Sequence, residues 1–201
     1  MTSPDGYLQE KDSSAALGKK ALRTQLLQRR RSLSFLDWQT KSTLICEHLA
    51  ASRAFQEARV VLAYLSTHQE LDLSSLWQAS SPQRWGFPRC VRQDLVWHQC
   101  VPSSPEHFQL GAYGILEPIT SLPVLHPEEV DLILVPAVAC DRQGFRLGYG
   151  GGFYDRLLSL PAWAKKPTVG IVFEFAYLDR LPSDPWDCPL QSVCTETGWK
   201  T

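Results

Sequence analysis

The stretch GFRLGYGGGFYDRLL, residues 144–158, concentrates the residues best suited to chemistry. Four of the five residues from Gly148 to Gly152 are glycine, with Arg146 before them and Asp155 and Arg156 after. Glycine lets a backbone take left-handed conformations and approach a ligand closely. Successive N–H groups can then point into one concavity, and an adjoining helix N-terminus adds positive potential, an arrangement that suits phosphate. A tight structural turn needs only one or two glycines. Arg146 is a fork donor for phosphate oxygens. Asp155 falls in the first turn of the following helix, where it complements the helix dipole or serves as a Mg²⁺ ligand beside a nucleotide. Two standard motifs are absent. No Lys-Ser or Lys-Thr closes the loop as in a P-loop, and Phe153 stands where G-x-G-x-x-G needs its last glycine.

The surrounding elements explain how such a loop is presented. VDLILVPAVA (130–139) reads as a buried strand leading into the loop, and a helix over about 151–160 leaves it, stopped by Pro161. Ligands in open α/β sheets collect at the carboxyl ends of parallel strands. Upstream, the spacing predicts a helix over 14–33 with Leu22, Leu26 and Leu33 on its apolar side and a run of lysines and arginines elsewhere. Ser34 with Asp37 predicts a capped second helix to about Ser52. Further strands are expected at 59–65, at RWGFPRCV and DLVWHQCV with a turn at Gln93-Asp94, at 167–174 and near 192–195, with AYGILEP extended. Helices alternating with buried strands imply a three-layer α/β sandwich with a largely parallel sheet. Residues 1–15 are expected to be a flexible leader, and 16–201 a single domain.

Composition narrows the function. The 201 residues are 44% hydrophobic and 20% charged, with a net charge of −1. No overall field draws in nucleic acid or an anionic membrane, so any anion binding is local. The apolar runs are strand-sized, and the first residues lack the apolar segment of a signal peptide. The six cysteines show no C-x-x-C pairing. A cytoplasmic protein with reduced thiols, monomeric and without nucleic-acid or membrane partners, is expected. Cys140 reads as a small core hydrophobe rather than a nucleophile.

Several segments taken together resemble the 5-formyltetrahydrofolate cyclo-ligases, also called 5,10-methenyltetrahydrofolate synthetases. They are KKALR (19–23), AYLSTHQELDL (63–73), FPRC (87–90), GILEP (114–118), DLILVPAVACDRQGFRLGYGGGFYDRLL (131–158) and LPSDPWDCPLQSVCTE (181–196). They run in order from about Leu17 to Glu196. The resemblance implies a Rossmann-like domain and ATP- and Mg²⁺-dependent cyclisation of 5-formyltetrahydrofolate to 5,10-methenyltetrahydrofolate, with ADP and phosphate released. It implies small-molecule partners alone: ATP and a reduced folate, with or without a polyglutamate tail.

Carried over by position, the resemblance assigns Lys19, Lys20, Arg23, Arg146, Leu147, Gly148, Tyr149, Gly150, Gly151, Gly152, Phe153 and Tyr154 to the nucleotide. Glu70, Gly150, Gly151, Gly152 and Tyr154 go to the folate. Asp155 and Asp187 go to the metal, and Arg146 and Tyr154 to catalysis. Without the resemblance, Lys19 and Arg23 read as a solvated helix face and Glu70 as a loop acid. Trp85 and Trp97 are candidate ring platforms or core residues; His68 and His98 receive no role. Three positions depart from the family pattern: Phe153 replaces a common tyrosine, Tyr149 occupies a variable position, and Gln191 replaces a common aspartate. Two rivals stay open at this point: a folate- or nucleotide-binding protein without turnover, and a divergent phosphate-binding enzyme of the sugar-phosphate isomerase type.

Overall fold

A seven-stranded sheet organises the protein. The structure, a computed structural model, describes residues 6–78, 82–111 and 113–200, with the side chains of residues 6–17 outside the description. Across the sheet the strands are Gly198–Lys200, Ser192–Thr195, Thr168–Ile171, Leu132–Pro136, Val60–Leu62, Arg84–Val91 and Asp94–Cys100. The middle five run parallel, and the two edge strands run antiparallel to their neighbours. Among the described residues five α-helices accompany it: α1 (Gly6–Arg31), α2 (Phe35–Ala50), α3 (Arg53–Glu57), α4 (Ser75–Gln78) and α5 (Phe153–Ser159).

The period-2 alternation of the buried strands sorts their side chains between two cores. Val60, Leu62, Ile133 and Val135 pack with Leu26 of α1 and with Leu157 and Leu158 of α5. Val61, Leu132 and Leu134 pack with Ile45 and Leu49 of α2, Phe55 of α3 and Leu76 of α4. Helices thus cover both faces, as near-continuous apolar strands require. The expected three-layer α/β sandwich is the one observed. Each side chain that the sheet buries contributes on the order of 1.5–3 kcal/mol.

Local chemistry sets the boundaries. Ser34 caps α2, its side chain accepting from the Asp37 N–H at 3.0 Å. The second helix, expected to about Ser52, ends at Ala50, and Ser52 caps a separate short helix, α3, in the same way as Ser34 caps α2. α1 begins at Gly6, ahead of the predicted start; residues 1–5 of the expected leader lie outside the described residues. The predicted strand at 130–139 is two strands. Leu132–Pro136 belongs to the main sheet, while Ala139–Asp141 joins a small sheet with Arg146–Leu147 and Tyr177–Leu178. The chain leaves the main sheet after Pro136, and the Val138 N–H donates instead to the Leu147 carbonyl at 2.7 Å. The hairpin turn falls at Arg92-Gln93, one residue before the expected place: Asp94 pairs with Val91, and Arg92 takes φ 57°. Leu116–Pro118 pairs with Phe108–Leu110 in a separate hairpin.

Candidate functional site

The glycine loop follows the short strand Arg146–Leu147 and ends at α5. Gly150 has φ 106° and Gly152, the N-cap of α5, has φ 65°, conformations that cost a side-chain-bearing residue energy. α5 has seven residues, shorter than expected, and cations gather around its start.

Those cations come from α1 and from the loop's own strand. Lys19, Arg23, Leu26 and Arg30 are spaced four, three and four apart and therefore share one helix face. Arg23 Nε donates to the Gly148 carbonyl at 2.7 Å. Its guanidinium also lies 3.9 Å from where a Cβ on Gly150 would sit. Lys19 Nζ sits between two carboxylates, Asp184 Oδ2 at 2.6 Å and Asp187 Oδ2 at 2.5 Å. Burial alone would lower the lysine's pKa, but the two carboxylates outweigh it and hold the ammonium above its ordinary value. Lys20 is exposed and off this face.

Arg146 is buried, and its Nη1 donates to Asp155 Oδ1 at 2.6 Å. The same guanidinium carbon lies 5.7 Å from the centre of the Tyr154 ring. Burial pushes the Asp155 carboxyl above the usual aspartate value; Arg146 offsets that only in part, and Asp187 adds to the rise. Two ion pairs, Lys19–Asp187 and Arg146–Asp155, therefore stand close together. Leu147 is in the core and offers the site no side chain. Phe153 meets Tyr113 edge-on at 5.9 Å and has the Arg156 guanidinium 5.1 Å from its ring centre.

Glu70 lies at the other side of the site, buried. Its Oε2 accepts from the Thr67 N–H at 3.1 Å, and its carbonyl accepts from Trp38 Nε1 at 2.7 Å. The preceding residues His68 and Gln69 have φ 50° and 57°, two successive left-handed non-glycine residues that turn Glu70 inward. Burial raises the Glu70 pKa, with Thr67, Arg30 and Tyr149 offsetting it in part. The Tyr154 hydroxyl is shut off from solvent without a hydrogen-bond partner among the described residues. Burial, and after it the Glu70 charge, push its pKa up. An unpaired buried hydroxyl is costly and calls for a partner that a ligand can supply. A cleft of about 620 Å³ opens beside the Glu70 loop, between Phe35, Trp38, Thr67, His68 and Trp77, and not over the glycine loop.

The structure thus brings Lys19, Arg23, Arg146, the loop, Asp155 and Asp187 together, with Glu70 facing Tyr149 and Tyr154. It separates the two tryptophans. Trp97 is in contact with the Tyr154 ring at 6.3 Å, while Trp85 is in the opposite core against Phe55 and Trp77. His98 is structural, its Nδ1 2.9 Å from the Leu122 carbonyl. Burial raises the Cys140 thiol to about 12, which fits an inert core residue. Sequence reasoning missed Arg30 and Asp184. The α1 face shared with Lys19 and Arg23 was the available signal for Arg30; Asp184 had none beyond its nearness to Asp187.

Two carboxylates that influence each other fit a Mg²⁺ ion, which needs only one or two when phosphates supply the rest. Among the described residues no group of three or more His, Cys, Asp or Glu side chains is placed to form a complete protein cage. No described helix is long and apolar enough to cross a membrane.

Known proteins resemble the chain over most of its length. The model of the 5-formyltetrahydrofolate cyclo-ligase family matches residues 15–196. The chain is 32% identical to the 5-formyltetrahydrofolate cyclo-ligase of Mycolicibacterium smegmatis over 88% of its own length and 93% of the relative's. It is 28% identical to that of Haemophilus influenzae, over 87% of this chain and 96% of the other. The solution structure of Aquifex aeolicus 5,10-methenyltetrahydrofolate synthetase superposes with a TM-score of 0.79 at 32% identity, covering 90% of this chain and 91% of that one. The chain therefore belongs to the 5-formyltetrahydrofolate cyclo-ligase family.

Proposed function

We propose that the protein converts 5-formyltetrahydrofolate to 5,10-methenyltetrahydrofolate with one ATP and Mg²⁺, releasing ADP and phosphate. The observation that carries this reading is a glycine loop bound by Arg23 and flanked by the ion pairs Arg146–Asp155 and Lys19–Asp187, with Tyr149 of the loop facing the buried Glu70. A formyl oxygen is a poor leaving group. It attacks the terminal phosphorus of ATP while the bond to the ADP oxygen breaks. N10 of the folate then attacks the activated formyl carbon, and phosphate leaves carrying that oxygen and the N10 proton. No step needs a protein nucleophile. Positioning and electrostatic stabilisation carry the rate.

The residues divide the work. The loop N–H groups, Lys19, Arg23 and Arg146 hold the phosphates, and Arg146 follows the charge of the moving phosphoryl group. Asp155 and Asp187 hold Mg²⁺, which neutralises phosphate charge when bound. The resting ion pairs suit this exchange, since a nucleotide takes the cations and frees both carboxylates for the metal. Glu70 accepts from N–H groups of the folate. The unpaired Tyr154 hydroxyl gains its missing partner from the substrate. The test is an absorbance assay with 5-formyltetrahydrofolate and Mg·ATP. A near-ultraviolet methenyl band that rises only with ATP supports the reading; folded protein that gives no rise refutes it.

A further inference from the structure

Arg30 is one of the few buried charges, and nothing above gives it a task. It lies in a run of three arginines, yet its guanidinium is turned inward. Nη1 donates to the Tyr149 hydroxyl at 2.7 Å, and Nη2 donates to the Ala137 carbonyl at 2.8 Å. The same guanidinium carbon lies 6.0 Å from the Tyr149 ring centre and 5.8 Å from that of Phe173. Ala137 follows directly on the strand Leu132–Pro136, and its carbonyl lies off the main sheet where the chain changes sheets. Tyr149 is the one side-chain-bearing residue within the glycine run. Its ring is partly exposed, while its hydroxyl end faces the Glu70 carboxylate and its ring lies 6.2 Å from that of His68. A hydroxyl that accepts from Arg30 has its own hydrogen free for Glu70.

We propose that Arg30 is a positioning residue for the cyclisation. By binding Tyr149 and the Ala137 carbonyl at once, it ties the glycine loop to the end of the central strand and sets Tyr149 across from Glu70. The nucleotide side and the folate side of the site are thereby held at one separation. Buried guanidinium groups persist where their donors are used, and the planar fork reaches both acceptors in a way that a lysine ammonium does not. In a reaction that depends on bringing two bound substrates to contact distance, a displaced loop is felt in turnover. The inference rests on the cyclo-ligase reading above.

The test compares Arg30→Lys, Tyr149→Phe and the double variant in the full chain, by kinetics and by hydrogen exchange. Each single change is expected to lower kcat/KM for 5-formyltetrahydrofolate roughly tenfold, the scale of one hydrogen bond to a charged group. The double variant is expected to lose no more than Arg30→Lys alone, because Tyr149 contributes only where Arg30 holds it in place. Amides of residues 147–153 in Arg30→Lys are expected to exchange at least tenfold faster, with those of 94–100 unchanged. A purely structural arginine would speed exchange across both segments and leave kcat/KM of the folded protein unmoved. Losses that multiply in the double variant, or unchanged exchange over 147–153, overturn the proposal. A wild-type protein without ATP-dependent turnover refutes the cyclo-ligase reading instead, and the exchange result then decides the role of Arg30 by itself.

Discussion

The two sides of the site are built on opposite principles. On the glycine-loop side, charge meets charge: Lys19 with Asp184 and Asp187, Arg146 with Asp155. On the Glu70 side, the carboxylate is buried, accepts from the Thr67 N–H and faces Tyr149, and the Tyr154 hydroxyl nearby has no partner among the described residues. The first side is set for a polyanion and a metal, which replace existing ion pairs by new ones at little net change in charge. The second is set for a ligand with its own N–H groups and acceptors, since a polar partner there removes a desolvation cost already incurred. Ion-pair exchange on one side and satisfaction of buried polar groups on the other give one site two separable affinities.

That contrast is open to direct test, and the largest effect is expected on the charged side. Asp155→Asn keeps the shape but removes the charge. We expect kcat to fall about 10²–10³-fold, the range for removing one electrostatic stabiliser, with the melting temperature little changed. Unchanged turnover would remove the metal role and leave Asp155 only its pairing with Arg146.

Glu70→Gln acts on the other side. It should lower kcat/KM for the folate by about 10- to 100-fold, as expected for a hydrogen bond to a charged acceptor, while KM for Mg·ATP stays within about twofold if the two affinities separate. The same residue gives a pH signature. Burial raises the Glu70 pKa, so the acid limb of the wild-type kcat/KM for folate should start above the ordinary glutamate value of 4.5. Asp155, also raised, adds to that limb, and Glu70→Gln should remove only the Glu70 part. Stability runs the other way. A carboxyl with a raised folded pKa holds its proton more tightly in the fold than in the unfolded chain. Its contribution is therefore most favourable below 4.5 and is lost as pH rises through the folded value. Acid should thus relieve Glu70 in the fold while abolishing its work, and melting curves against pH for wild type and Glu70→Gln check the sign.

Tyr154→Phe separates binding from stability more gently. The hydroxyl has no partner among the described residues, so its removal should leave the free protein as stable or about 1 kcal/mol more stable. Affinity for the folate should fall several-fold, measured by titration. A loss of stability with no change in affinity would make Tyr154 a core residue only. The smallest contrast lies on α1: Lys19→Ala should raise KM for Mg·ATP about tenfold and Lys20→Ala about twofold, because Lys19 is half-buried against Asp187 of the site and Lys20 is exposed.

How much of this was legible in the sequence follows from where the information resides. The α/β layering was legible because buried parallel strands carry apolar runs at fixed lengths and α2 announces itself with Ser34 and Asp37. The glycine loop was legible because its composition has few other uses. The break after Pro136 was not, since Ala137 and Val138 are as apolar as the strand before them and only their hydrogen-bond partners differ. Arg30 was hidden in a basic run that reads as a solvated face, and its burial depends on Tyr149 and Ala137, each more than a hundred residues away in sequence. Asp184 was hidden for the same reason, its lysine lying far away on α1. Residues that depend on a distant partner leave little local trace.

The most direct test of the account couples its two sides in a single measurement: ADP and methenyl product quantified together in one reaction with 5-formyltetrahydrofolate and Mg·ATP. One ADP per methenyl group formed, with neither appearing when either substrate is omitted, is the predicted result. Methenyl product without ADP, or ADP released without methenyl product, would contradict it.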